Sequence, residues 1–114
     1  MKQVEAFEVK LWVGLREQYT DVIRSVDDVR EICQNFSDAH GDCMTITSTE
    51  FIYKDGNEPG VIIGWINYPR FPRENNEIMN NALIIGNKLL KELKQNRVTI
   101  TTPENSIMLE NENL

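Results

Sequence analysis

At 114 residues, 40% apolar and 26% charged, the chain has the size and composition of one globular domain whose core needs no metal or disulfide staple. A net charge of −6 argues against duplex nucleic acid as a partner, because nonspecific affinity comes from cation–phosphate contacts. No apolar run approaches bilayer length, and residues 1–5 carry no signal-peptide stretch, so no membrane partner and a cytoplasmic location are expected.

In chain order, a first strand is expected over residues 5–15, with Phe7, Val9, Leu11, Val13 and Leu15 on one face and Glu8, Lys10, Trp12, Gly14 and Arg16 on the other. Ser25 followed by Asp27 and Asp28 starts a helix, because a serine oxygen caps free N–H groups and acids suit the positive end of the dipole. Val26, Val29, Ile32, Cys33 and Phe36 form its buried stripe, and Gly41 ends it in the left-handed region. His40, the one histidine, lies against the negative end of that helix.

A second strand over residues 43–53 alternates Met44 and Ile46 with Thr45, Thr47 and Thr49. Phe51 and Tyr53 share the threonines' parity, so a bulge near Ser48 is expected to swap their faces. The Asp55-Gly56 and Pro59-Gly60 pairs close a hairpin into a third strand over residues 61–68, apolar on both sides and therefore central. Pro69 and Pro72 precede a second helix over residues 74–94, with Ile78, Ala82, Ile85, Leu89 and Leu93 at helical spacing. A fourth strand over 97–102 buries Val98 and Ile100, Ile107 to Leu109 adds a short edge strand, and an acidic tail from about residue 110 frays. Cys33 and Cys43 are expected to stay reduced, with neither a disulfide nor a metal spacing between them.

This βαββαβ order predicts an α+β, ferredoxin-like domain over residues 1–114: an antiparallel sheet with two helices on one face. The central first and third strands are expected to run parallel to each other. The uncovered face, carrying Trp12 and one side of the third strand, predicts a dimer or higher oligomer, with Trp12 and Trp65 at the interface.

Parallel central strands would bring two strand-to-helix loops to one rim. Arg16, Tyr19, Asn67, Tyr68, Arg70 and Arg73 would then converge at two helix N-termini, where arginines and free N–H groups suit a small anionic, nucleotide-like ligand. The plainer alternative pairs Arg16 with Glu17, and Arg70 and Arg73 with Glu74 or Asp27. The run Tyr68-Pro69-Arg70-Phe71-Pro72 fits either a rigid binding loop or a structural connector, since each proline restricts the residue before it. A catalytic triad, a Walker loop and a dinucleotide glycine motif are all missing from the sequence, so no catalytic residues, metal or cofactor are expected.

The strings Lys10 to Leu15, Thr49 to Tyr53 and Glu58 to Gly64 resemble small uncharacterised phage and prophage proteins. That resemblance implies host interaction or counter-defence, including capture of a signal molecule, and transfers no catalytic residues. Three functions follow: an oligomeric binding module for a small anionic ligand, an inhibitor that docks a host protein on the open sheet face, and a small hydrolase or isomerase using Tyr68 or Glu50.

Overall fold

The computed structural model describes residues 1–112. Its elements run β1 (Glu8–Gly14), α1 (Val26–His40), β2 (Thr45–Tyr53), β3 (Gly56–Ile66), α2 (Asn75–Glu92), β4 (Arg97–Thr101) and β5 (Ser106–Glu110). The strands form one sheet in the order β2-β3-β1-β4-β5, with every neighbouring pair antiparallel. This is the expected α+β, ferredoxin-like arrangement, extended at one edge by β5.

Period-two patterning decides which side of the sheet the helices cover. Val9, Leu11 and Val13 of β1, Val61, Ile63 and Trp65 of β3, and Val98 and Ile100 of β4 all point to the helix side and are buried. They meet Val29, Cys33 and Phe36 of α1 and Ile78, Ala82, Ile85 and Leu89 of α2. Burying one such Val, Leu or Ile is worth about 1.5–3 kcal/mol relative to exposure, so this layer holds the domain together. Helix caps form where the sequence places them. The Ser25 side chain accepts the Asp27 N–H, and Gly41 at φ 68° donates its N–H to Ser37 O.

Four expectations are corrected. The first concerns the direction of the central strands. Each helical crossover spans one intervening strand, so β1 is parallel to β2 and β3 to β4, whereas β1 and β3 are antiparallel neighbours with Gly14 opposite Gly60. The second concerns β2, which has no bulge: it pairs with β3 without a break from Thr45–Gly64 to Tyr53–Gly56. Phe51 and Tyr53 therefore stay on the threonine face. The hairpin turn is only Lys54-Asp55, with Asp55 at φ 63°, so residues 56–60 belong to β3 rather than to a loop.

The third correction is Trp65, which is fully buried under the helices and unavailable to any interface on the open face. Its odd position in β3 dictates this, because Val61 and Ile63 of the same parity are equally buried. The fourth concerns the tail. Glu110 closes β5, and Asn111 donates its N–H to Asn96 O and its side-chain amide to Leu90 O and Gln95 O. Residues 113–114 of the expected frayed tail lie outside the described residues.

Candidate functional site

The antiparallel pairing separates the two arginine-bearing connectors. Arg16 follows the end of β1, next to Glu58 of β3, while Asn67 follows the end of β3 and donates its N–H to Phe7 O. Arg16 lies nine steps of extended chain beyond Phe7, about 30 Å at 3.4 Å per residue. Arg16 and Tyr19 are brought together at one end; Asn67, Tyr68, Arg70 and Arg73 stand at the other.

The second group is built around Asp42. This carboxylate, whose side chain has no solvent exposure, accepts Trp65 Nε1–H at 2.8 Å, Cys43 N–H at 2.9 Å and the Arg73 guanidinium at 2.7 Å. Arg73 also reaches Glu77 at 3.4 Å, so its partners are Asp42 and Glu77 rather than Glu74 or Asp27. Asn67 accepts the Arg73 N–H at 2.9 Å and donates to Glu5 O. Tyr68 stacks obliquely on Phe71, and the side-chain hydrogen bond to Cys43, then burial, push its phenol above the usual value. Arg70 is exposed. Of these four candidates for ligand capture, Asn67 and Arg73 fix how the chain enters α2, and Arg73 keeps one buried nitrogen, Nη2, without a hydrogen-bond partner among the described residues. A buried charge held by three donors is a structural device.

The other end carries a cleft of about 520 Å³ on the open sheet face. Its floor is apolar because glycines of β3 let the aromatic rings of β2 lie flat across them. A Cβ at Gly60 would sit 2.3 Å from the Phe51 ring, and one at Gly56 would sit 2.5 Å from the Tyr53 ring. Trp12 lies on the same face, its indole N–H fixed by Thr101 Oγ1 at 3.0 Å. With Tyr19 from the loop after β1, four aromatic side chains line one open cavity.

Polar groups ring this apolar floor. Arg16 donates to Asn57 O at 3.3 Å and Thr20 O at 3.5 Å, and faces Asp21, not Glu17, at 3.8 Å. Arg97 enters from the open face of β4. Glu58 Oε2 accepts the Arg16 backbone N–H at 3.3 Å.

The loop over residues 15–24 overhangs the cleft. An Arg16–Ile23 bridge and the Arg24 N–H to Leu15 O bond pinch its base, and Glu17 braces it through Arg24 and Lys94. Tyr19 at its tip is 86% exposed and lines the cavity.

Of the six predicted ligand-binding residues, only Arg16 and Tyr19 reach this cleft, together with Trp12, which was expected at an interface. Phe51, Tyr53, Glu58, Gln95 and Arg97 escaped the sequence reading. The available signal was the shared parity of Phe51 and Tyr53 with Trp12-facing positions, together with Gly56, Gly60 and Gly64 spaced four apart along the partner strand. Among the described residues, no group of three His, Cys, Asp or Glu side chains is placed to hold a metal ion, and no helix is long and apolar enough to cross a membrane.

No protein-family model matches the chain, and no curated protein matches it. Two solved structures do: a phage SAM lyase in complex with S-methyl-5'-thioadenosine, and a phage SAM lyase in its apo state. Each superposes with a TM-score of 0.80 over 98% of this chain and 96% of that one, at 15% sequence identity. The chain thus has the fold of a phage enzyme that was solved with a nucleoside bound.

Proposed function

We propose that this protein binds S-adenosylmethionine in the open-face cleft and cleaves it as a lyase, releasing S-methyl-5'-thioadenosine. The observation that carries the reading is the cleft itself: four aromatic side chains around one cavity, flanked by the Arg16 and Arg97 guanidiniums and the Asp21 and Glu58 carboxylates. A flat purine suits the aromatic walls, where stacking is worth about 1–3 kcal/mol per base. A sulfonium cation suits the ring faces and the Glu58 carboxylate. The neighbours' fold, the bound nucleoside of one of them, and the resemblance to phage proteins all support the same assignment.

The reaction demands little of the protein. A sulfonium is already an activated leaving group, so the C–S bond to the four-carbon amino-acid part breaks with its electron pair passing to sulfur. What must be supplied is orientation and a polar environment matched to the charge being lost. The four-carbon fragment then leaves in one of two ways. It closes on its own carboxylate to a lactone, or it loses a carbon-bound proton to a carboxylate such as Glu58 and becomes an unsaturated amino acid. Neither route consumes water or needs a histidine, in keeping with a cleft whose polar groups are arginine, glutamate, aspartate and amides.

The test is incubation of purified protein with S-adenosylmethionine, with both products followed by mass spectrometry. Stoichiometric S-methyl-5'-thioadenosine is expected, lost in Glu58→Ala and in Trp12→Ala. The four-carbon product identifies the route, and solvent oxygen from labelled water found in its side-chain hydroxyl, rather than in the carboxylate that lactone opening would label, would show a hydrolase instead. No turnover together with no binding of either nucleoside would overturn the proposal.

A further inference from the structure

Within the cleft, one buried amide has no freedom in how it presents itself. Gln95 is 5% exposed and follows the end of α2. Its Nε2 donates to Arg16 O at 2.8 Å and to Leu93 O at 3.2 Å, which consumes both N–H groups. The amide cannot flip without losing both bonds, so Oε1 is left facing the cleft as a fixed acceptor. It points at Gly14, where an added Cβ would lie 3.3 Å from Gln95 Oε1 and 2.6 Å from Glu58 Oε2. Two acceptor oxygens from different strands and loops therefore converge on the bare backbone of one glycine.

We propose that Glu58 Oε2 and Gln95 Oε1, meeting over Gly14, form a site for the protonated amine of an α-amino-acid tail on the bound nucleoside. The inference rests on the reading of the cleft as a nucleoside site and deepens it by assigning the group that selects the ligand. Donor counting leads to an ammonium. Two acceptors, one of them a charged carboxylate that among the described residues holds one long backbone N–H bond, call for a group with several N–H donors and a positive charge. A ribose diol would match the donor count and leave the carboxylate charge without a counterpart in a partly desolvated cleft.

Arg97 completes the match to a zwitterion. It stands on β4, which neighbours β1 on the side opposite β3, and it lines the same cavity. The strands that carry Glu58 and Arg97 are two interstrand spacings apart, about 10 Å, and the long arginine side chain covers part of that distance. An ammonium over Gly14 and a carboxylate against Arg97 would thus lie side by side, as they do in an α-amino acid.

Gly14→Ala tests the site directly. Its added methyl would occupy the ammonium position, and the clash falls on the movable end of Glu58 rather than on backbone. Binding is read by calorimetry with two probes that cannot turn over: S-adenosyl-L-homocysteine, which carries the amino-acid tail, and S-methyl-5'-thioadenosine, which lacks it. Gly14→Ala is expected to lose about tenfold or more in affinity for the first and to hold the second within about twofold. Glu58→Gln, which keeps shape and removes charge, should reduce the same preference and does not depend on how Gly14→Ala folds. A preference unchanged in either variant overturns the ammonium site while leaving the nucleoside cleft standing. Wild-type protein that binds neither probe overturns both.

Discussion

Asp42 is the residue on which the end of the domain away from the cleft depends. Its fully buried carboxylate holds the Trp65 indole, the Cys43 N–H and Arg73, so three chain segments are tied through one side chain. Removing one partner of a buried pair leaves the other charge stranded, which costs about 3–5 kcal/mol. Asp42→Ala should lower stability by that order in a denaturant titration and shift Trp65 emission toward the red. The cleft should survive in whatever fraction folds. Cys33 gives a second check. Burial first, and then the negative charge of Asp42, push its thiol up to about 11 from an ordinary 9.0. Between these pH values the unfolded chain has released a proton that the folded chain still holds. The stability contribution is therefore complete below pH 9 and declines as pH rises toward 11. Cys33→Ala should flatten that alkaline fall in thermal midpoint. In the native wild type at pH 8, a thiol reagent should modify Cys43 well ahead of Cys33.

Among the elements, the β2–β3 hairpin gives the open face its shape, and its glycines differ in what they tolerate. At Gly60 a Cβ would meet the Val13 carbonyl oxygen at 2.7 Å as well as the Phe51 ring. A backbone carbonyl in a central strand cannot retreat. Gly60→Ala should therefore destabilise by about 1–3 kcal/mol, as overpacking does, and displace Phe51 from the cleft. Gly14→Ala should leave the thermal midpoint within a few degrees, because the clash falls on the movable end of Glu58 and Gln95 Oε1 need give only a few tenths of an ångström. The same hairpin shows what was legible in the sequence and what was not. Element types, their order, the Ser25 and Gly41 caps and the buried stripes all follow from periodicity and local chemistry. Strand direction did not, because periodicity is silent about which way a strand runs. One wrong direction placed Arg16 and Arg73 on a shared rim. The assumed bulge at Ser48 cost the site Phe51 and Tyr53: alternation taken at face value puts them beside Trp12. Gln95 carries no local signal at all, since its role arises only when the end of α2 packs against the loop after β1.

For the whole molecule, the two faces of the sheet are unequal. Helices cover one; the other keeps Ile66 and Met108 about half exposed, beside Trp12 and the Thr45, Thr47 and Thr49 row. Apolar surface left in water costs about 25 cal/mol per Å², and contiguous patches of it mark interaction sites. We expect a second copy of the chain to cover this face. Strands β2 and β5 are the sheet edges, but their outward side chains are dominated by threonine, serine and glutamate, which suits face packing better than strand addition. Sedimentation at tens of micromolar should show a dimer or larger assembly, and Ile66→Lys combined with Met108→Lys should return it to monomer. Both positions lie outside the residues that line the aromatic cleft, so the double variant separates assembly from ligand contact. If the wild type sediments as a monomer throughout, self-covering is wrong and the face is free for a host protein. A host partner would then have to bind the wild type and release the lysine variant. A wild type that assembles and a variant that does not would instead make the open face the assembly surface. Any loss of nucleoside affinity in that monomeric variant would then measure how much of the cleft's grip depends on the neighbouring copy.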